Sequence, residues 1–466
     1  MLWCGLEFFW ISQQFIVMSE RVEHFVPVAH KLTYLGLIKG CGAIVVVLTQ
    51  LTVGFISDHA ESRLGRRRPF IIYGVFWGCA AIAFFILAPG YWWLFAAYML
   101  IEATINVASI PFQSLLPDLV PARQHARAGA VMGLMHMSGY LVGLVVMIVM
   151  YLAYGNSQVV LFGDAKPGGY LMLLGAYLVM LLGTAAIVVL SVDESGWAQT
   201  ARTRLEGAVR SFYILPGTVV RFARTAPSLI GCIVHDYLKI DLRSQPNFVW
   251  LAASRFTIFL GFQTFLTYIY FYVNSNLNGE AWLREVGLPA VPVKALLPAI
   301  MLFFVFGGFI GNVLSAPLAE RRSKRFAIAA GMVLAGVMLV PLILTHNVWT
   351  AVACGCVLGA GWGCFIASDW AFACTLMPKQ KAGSYMGMWD VTTLIPQVLA
   401  PAIGGPIGDG VFAANVARLT AQLGHEAGQR AAEALAHQWL YSTIFIYFIA
   451  GLLLLTRVRE RRAPAE

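Results

Sequence analysis

Seven ionisable side chains lie inside long apolar stretches of the sequence, where a charge is difficult to hold. They are Glu7, Lys39, Glu102, His136, Arg255, Asp369 and Asp390. Placing such a group in hydrocarbon costs about 3 kcal/mol on insertion scales, so each is a candidate for function. A carboxyl group removed from water favours its neutral form, and histidine titrates near neutrality. Glu102, Glu7 and His136 are therefore the candidate proton carriers.

Each of these three residues also has a simpler interpretation. Glu102 in "YMLIEATINV" would be structural if it were permanently paired with Arg255 or Lys39. Glu7 lies close to one end of its apolar stretch, where its carboxylate can reach water. A single histidine among methionine and glycine, as in "GLMHMSGY", is commonly a hydrogen-bonded core residue.

Polar side chains next to aromatic ones form a second group of candidates. Asp369 and Asp390 each adjoin a tryptophan, and this pairing suits a sugar, since carboxylate oxygens accept hydrogen bonds from hydroxyls while an indole packs on C–H groups. Amides both donate and accept, as a polyhydroxylated molecule requires. The candidate binding residues are Trp10, Gln13, Gln14, Asn106, Gln113, Arg255, Gln263, Asp369, Trp370, Trp389 and Asp390.

The elements that must position these residues are predicted to be membrane-spanning helices. The chain has 466 residues, 59% of them hydrophobic, with a mean hydropathy of +0.73. Its apolar blocks are about 20 residues long, which is enough to cross a bilayer. We predict an all-α membrane protein with twelve spans, at 3–19, 34–57, 70–90, 91–116, 128–153, 169–192, 248–273, 294–316, 325–345, 348–376, 383–405 and 438–456.

The basic residues predict the orientation of these spans. The net charge is +9, and arginine and lysine concentrate after spans 2, 4, 6, 8 and 10 and in the tail "RVRERR". By the positive-inside rule both termini are cytoplasmic, and this distribution speaks against nucleic acid as a partner. We expect a multi-pass protein of the plasma (inner) membrane that works as a monomer. Met1 leads directly into the first span without a signal-peptide pattern, and the sequence leaves open whether the natural start lies upstream.

The eight cysteines lie mostly inside apolar spans and form no CxxC pair. They are interpreted as small packing residues, so no metal and no cofactor is expected.

The chain is predicted to divide into two six-helix halves, 1–192 and 248–466, joined by a polar linker at 193–247. The linker's arginines suit helices on an anionic membrane surface or a solvated connection. "RAGAVMG" (127–133) and "KAGSYMG" (381–387) open spans 5 and 11, which indicates a duplicated unit, the architecture of major facilitator transporters. An Ala-rich insert at about 407–437 is predicted to be an extracytoplasmic amphipathic helix, with no role assigned.

The arginine-rich stretch "ESRLGRRRPF" lies in the predicted cytoplasmic turn between spans 2 and 3. It can form a gate of ion pairs that closes the cytoplasmic mouth in one state, or it can act only as a topology signal. Gly65 would permit a tight turn, and Pro69 would begin span 3. The predicted gate comprises Gly54, Asp58, Arg63, Gly65, Arg66, Arg67, Arg68, Asp118 and Arg127.

Four stretches carry a likeness to a known family. "GFISDHAESRLGRRRPFI" resembles the loop signature of the sucrose:proton symporters, the glycoside/sugar:cation symporter family. "VAHKLTYLGLIKG" is similar to that family's first external loop, "EATINVASIPFQSLLPDL" to its span 4, and "YMGMWDVTTLIPQVLAPAIGGP" to its span 11. The resemblance implies a proton-coupled sugar transporter and adds Gln397 to the binding residues.

The sequence also departs from that family. Glu102 stands where the family usually has aspartate, and Gln113 where the symporters have arginine. Lys39 replaces a cysteine and Asp390 an asparagine.

We therefore expect a secondary transporter that works by alternating access, with a proton or other cation gradient driving uptake of a sugar or glycoside. The alternative is a proton-coupled antiporter that exports hydrophobic or cationic compounds. A membrane enzyme or channel is a remote alternative, since no HExxH, GxSxG or Gly-rich phosphate loop occurs in a supporting context.

Overall fold

The structure, a computed structural model, is almost entirely helical. It describes residues 1–58, 65, 67–119, 125–154, 158–161, 164–167, 169–192, 245–277, 279–287, 295–376 and 382–459. Two short strands, β1 (Gln158–Leu161) and β2 (Asp164–Pro167), pair with each other.

The described residues form fourteen α-helices. They are α1 (Leu2–Ser12), α2 (Met18–Phe25), α3 (Lys31–Asp58), α4 (Arg68–Leu87), α5 (Tyr91–Leu119), α6 (His125–Tyr154), α7 (Gly169–Ser191), α8 (Pro246–Asn276), α9 (Gly279–Glu285), α10 (Leu296–Arg321), α11 (Lys324–Leu344), α12 (Val348–Leu376), α13 (Ala382–Leu423) and α14 (His425–Thr456). A π-helical turn, Gln13–Val17, joins α1 to α2, and a 3₁₀ turn, Val28–His30, precedes α3.

The all-α fold class is confirmed. Eleven helices within the described residues are long and apolar enough to cross a membrane. The predicted first span corresponds to α1, the π turn and α2, none of which alone reaches the length of a span. The count of twelve and the orientation of the termini stay predictions. The linker lies almost wholly outside the described residues.

The Ala-rich insert differs from its prediction as a helix of its own. Residues 407–437 are helical, but they extend α13 at one end and α14 at the other. The break falls at Gly424, whose φ of 87° is in the left-handed region that favours glycine. Phe412, Ala432 and Ala436 are buried between the two extensions. The insert is therefore a helical hairpin.

The described chain falls into two compact units. The first is formed from Met1–Ile11, Cys41–Gly143 and Val159–Lys239, and the second from Ser12–Gly40, Leu144–Gln158 and Ile240–Glu466. In the first unit α4 packs on α5 and α7. In the second unit α12 packs on α10 and α11, and α8 packs on α13 and α14.

Glycines set the closest helix contact of the second unit. Gly307 and Gly311 on α10 face Gly359 and Gly363 on α12, each pair spaced by four residues so that both lie on one helix face. A Cβ at any of these positions would overlap main-chain atoms of the opposite helix. The two backbones are in contact, and neither side tolerates a methyl group without separation.

Gly359→Ala is expected to lower the melting temperature of the purified protein. A methyl group gains about 1 kcal/mol of helix propensity, but overlap with the Phe304 main chain costs about 1–3 kcal/mol. Gly336→Ala on α11 is the matched control, because its Cβ would meet only a ring carbon of Phe448, 3.9 Å away. It should leave the melting temperature unchanged or raise it. Equal melting temperatures for the two variants would contradict the contact.

Candidate functional site

Two of the predicted proton carriers meet in the first unit. Glu7 on α1 and His136 on α6 form a direct contact, with 2.6 Å between Glu7 Oε1 and His136 Nδ1. Tyr140, one helical turn after His136, also hydrogen-bonds to the Glu7 carboxylate. The indole of Trp3 lies on the imidazole, with ring centroids 3.9 Å apart. Glu7 is buried, so its carboxylate is held mainly by these neighbours.

The sequence of α6 explains how this contact forms. His136, Gly139, Tyr140 and Gly143 lie on one face of the helix. A Cβ at Gly139 would overlap the Cys4 carbonyl and the Glu7 side chain, so the glycines let α1 approach closely. The polar side chains between them then reach Glu7. The result is a direct contact between an acid and an imidazole at hydrogen-bonding distance inside the apolar helices.

Glu102 lies on α5 in the same unit. It is buried, and its side chain packs against Gly42 of α3, where a Cβ would lie 3.3 Å from Glu102 Cγ. Tyr98, one turn earlier, hydrogen-bonds to its carboxylate. The predicted binding residue Asn106 donates its side-chain amide to the Glu102 main-chain carbonyl at 2.7 Å. Glu102 is therefore a second buried acid whose carboxylate accepts a hydrogen bond.

Three predicted binding residues meet in the second unit. The guanidinium of Arg255 on α8 forms an ion pair with Asp369 on α12 and donates to Thr393 on α13 at 2.9 Å. It also lies over the rings of Trp389 and Phe259, at 4.5 Å and 4.3 Å from their centroids. We call these five residues the Arg255 cluster.

The Arg255 cluster combines zero net charge with open hydrogen-bonding capacity. Arg255 and Asp369 are both buried and neutralise each other. Among the described residues, Asp369 Oδ1, Arg255 Nε and Trp389 Nε1 have no hydrogen-bond partner. Buried polar atoms are usually paired, so one acceptor and two donors without partners suit a small molecule that carries hydroxyl groups.

The π turn holds two more of the predicted amides. Gln13 is buried, and neither its amide oxygen nor its nitrogen has a partner within the described part of the chain. The Lys39 ammonium donates to the Gln14 main-chain carbonyl at 2.8 Å. The turn packs against α8, which carries Arg255. π turns are rare and frequently lie at functional sites.

The remaining binding candidates are not brought into the Arg255 cluster by the described contacts. Trp10, Gln263 and Gln397 are half-buried, whereas Gln113 is exposed. Trp370 is 45% exposed while Asp369 beside it is buried, so this tryptophan points away from its acidic neighbour. The side chain of Asp390 lies outside the described residues.

The sequence did not single out Thr393, Phe259, Tyr140 or Trp3. Helical spacing was the available signal for three of them. Thr393, Phe259 and Tyr140 each follow a predicted site residue by four positions, namely Trp389, Arg255 and His136.

The arginine stretch is described only in part. Gly65 has a φ of 103°, as a tight left-handed turn requires, and Pro69 lies in the first turn of α4. Arg67 is buried and donates to Ser57 Oγ at 2.6 Å, which ties the start of α4 to the end of α3. Arg63 and Arg66 lie outside the described residues, as do the side chains of Asp58, Asp118 and Arg127 and the surroundings of Gly54, so the gate stays a prediction.

Comparison with known proteins identifies the family. Residues 25–401 match the sequence pattern of the Major Facilitator Superfamily. The chain belongs to the Major Facilitator Superfamily. A superfamily member of this kind is a transporter rather than an enzyme, with a small-molecule substrate and a multi-pass location in a membrane.

Solved transporter structures share the Major Facilitator Superfamily fold of this chain. A bacterial homologue of the human lysosomal transporter Spinster, inward-facing and occupied, is 15% identical with a TM-score of 0.70, covering 100% of this chain and 97% of the other. A mutant of the nucleoside transporter NupG is 11% identical with a TM-score of 0.62, and the match covers 97% of this chain and 98% of the other. The peptide transporter POT in complex with sulfate is 14% identical with a TM-score of 0.62, and the match covers 98% of this chain and 93% of the other. At these identities the likeness extends to the fold alone.

Asp369→Asn should destabilise the protein, because it leaves the Arg255 charge buried without its counter-charge. Loss of one partner of a buried pair costs about 3–5 kcal/mol. The double variant Arg255→Gln/Asp369→Asn removes both charges, so its melting temperature should lie well above that of Asp369→Asn alone. A double variant that melts no higher than the single one would show that the ion pair does not hold these helices together.

Proposed function

We propose that this member of the Major Facilitator Superfamily is a proton-coupled transporter that takes up a neutral, polyhydroxylated small molecule, a sugar or glycoside, by alternating access. The observation that carries the proposal is the contact between Glu7 and His136. It places an acid and an imidazole within hydrogen-bonding distance inside the apolar helices of one unit. A carboxylate and an imidazole in contact are groups that accept and donate protons in general acid–base chemistry.

The charge of the Glu7–His136 pair depends on whether it holds a proton. With a neutral imidazole and an ionised carboxylate it has one negative charge, and after proton uptake it has none. A neutral pair is less costly to remove from water. Protonation therefore favours the conformations in which the pair is shielded, and release favours those in which it meets water. A coupled transporter needs this dependence of conformation on protonation.

The Arg255 cluster supports the proposed substrate class. Because Arg255 and Asp369 neutralise each other, the cluster offers no net charge to a cationic or anionic compound. It does offer hydrogen-bond donors, an acceptor and the tryptophan ring of Trp389. This combination supports a neutral molecule with hydroxyl groups on one face and C–H groups on another. The resemblance of the loop and span motifs to the sucrose:proton symporters points the same way.

A second candidate, export of hydrophobic compounds in exchange for protons, is favoured by the aromatic side chains of α8. Phe262 stacks on Trp362, with 3.3 Å between ring centroids and 10° between planes, and Phe259 and Phe365 adjoin them. These rings are also a packed helix interface, since Phe259 and Phe365 are buried. The two candidates differ in the direction in which the proton moves relative to the substrate.

Gradient-driven uptake tests the proposal. Proteoliposomes with an inward gradient of about one pH unit should accumulate labelled sucrose, maltose or glucose about tenfold if one proton accompanies each sugar, since one unit corresponds to about 1.4 kcal/mol. Glu7→Gln cannot take up a proton at this position, so it should only equilibrate the sugar. Glu102→Gln should behave in the same way if Glu102 also carries protons. Exchange of internal for external sugar should persist in both variants.

Glu280→Gln is the matched control, because Glu280 is an exposed acid on the short helix α9. It should accumulate sugar like the unmodified protein. Full accumulation by Glu7→Gln would remove the Glu7–His136 pair from the coupling mechanism, and failure of every sugar to enter would refute the substrate assignment.

A further inference from the structure

Basic side chains gather where the end of α14 meets the starts of α8 and α11. All of these residues belong to the second unit, and the proposed function gives them no role. Among the described residues of 245–250, 317–325 and 457–459, the one acid is Glu320. The basic residues of the same three segments are Arg321, Arg322, Lys324, Arg325, Arg457 and Arg459.

Residues 457–459, which we call the tail, are docked on the neighbouring helices. Arg325 on α11 donates to the Val458 main-chain carbonyl at 3.0 Å. The main-chain N–H of Arg459 donates to Asn247 Oδ1 on α8 at 3.0 Å. The Val458 side chain is completely buried, whereas Arg457 and Arg459 on either side of it are exposed. The tail is therefore held in place with two guanidinium groups directed away from the protein.

Exposed aromatic rings adjoin two of the arginines. The Arg457 guanidinium lies 5.8 Å from the ring centroid of Trp250 on α8, and that of Arg322 lies 5.8 Å from the ring centroid of Phe326 on α11. The two rings are 37% and 46% exposed. Tryptophan beside arginine at the end of a spanning helix is typical of the level of the lipid headgroups. Within the described part of the chain, no carboxylate forms an ion pair with Arg322, Arg457 or Arg459.

An apolar stripe on α14 leads to Arg457. Ile446, Ile449, Leu453 and Arg457 follow one another at spacings of three and four residues, so they share one helix face. The three apolar side chains are 66%, 56% and 63% exposed. Exposed apolar side chains of this kind on a spanning helix contact acyl chains. The face therefore presents an apolar stretch followed by a cation, which matches the order of acyl chain and phosphate in a phospholipid.

We propose that Arg457, Arg459 and Arg322 bind the phosphodiester of an acidic glycerophospholipid, whose acyl chains lie along the exposed face of α14. The planar guanidinium group matches the oxygen atoms of a phosphate in a two-point contact. A cluster of arginines at the end of a spanning helix also attracts lipids with a net negative headgroup. A zwitterionic lipid would add its own ammonium group to these cations. The proposal depends on α14 crossing the membrane and is independent of the transported substrate.

Native mass spectrometry of the purified, delipidated full-length chain tests the lipid site. The protein in detergent is titrated with dioleoyl phosphatidylglycerol or with dioleoyl phosphatidylethanolamine. We expect a saturable copy of phosphatidylglycerol that binds more tightly than phosphatidylethanolamine. Arg457→Gln/Arg459→Gln should weaken the binding of phosphatidylglycerol about tenfold or more. This variant keeps Arg325 and Asn247, so the tail stays docked.

Arg418→Gln/Arg430→Gln is the matched control, because it removes two exposed arginines from the hairpin before the other end of α14. It should bind phosphatidylglycerol like the unmodified protein. Equal affinity of the tail variant and the unmodified protein would overturn the proposal, as would an equal loss in the hairpin variant. Glycerophosphoglycerol, the headgroup without acyl chains, should not displace the lipid at equal concentration. Displacement would assign the arginines to a free anion instead of a lipid.

Discussion

A charge inside a membrane-spanning helix is stable only when an opposite charge or several hydrogen bonds compensate it. The arrangement of this protein follows from that constraint. The Glu7 carboxylate contacts His136 and Tyr140. The Arg255 guanidinium forms an ion pair with Asp369 and donates a hydrogen bond to Thr393. The Lys39 ammonium donates a hydrogen bond to a main-chain carbonyl of the π turn. The first two of these contacts join helices that are far apart in sequence, namely α1 with α6 and α8 with α12. Compensating the charges therefore also determines which helices are neighbours.

Glycines bring the helices close together at two of the buried acids, because backbones can approach closely where a residue has no side chain. Gly139 brings α1 onto α6, and Gly42 brings α3 onto Glu102. The glycine pairs of α10 and α12 let α10 pack closely against α12, the helix that carries Asp369. The buried polar side chains and the glycines next to them therefore depend on each other. The cost of enlarging a glycine here is a displaced charge as well as a lost contact.

The sequence predicts where the helices of this fold lie much better than it predicts which helices and side chains contact each other. Apolar blocks of span length appear in the structure as long helices, since length and hydropathy are local properties. Glu7 and His136 are both recognisable as ionisable groups in apolar surroundings, but nothing local in the sequence pairs residues 129 positions apart. Asp369 was placed with Trp370, its neighbour in sequence, whereas the structure places it with Arg255, which lies over Trp389. The hairpin was predicted as one helix because its apolar spacing continues past Gly424, and only the backbone conformation there shows the break.

We propose that proton movement through the Glu7–His136 pair accompanies a neutral sugar. Proteoliposomes that contain a pH-sensitive dye and have no imposed gradient test this coupling. Addition of sucrose, maltose or glucose outside should acidify the lumen in the unmodified protein and leave it unchanged in Glu7→Gln. Entry of a labelled sugar without acidification would contradict the claim, as would proton movement that lipophilic cations elicit and sugars do not.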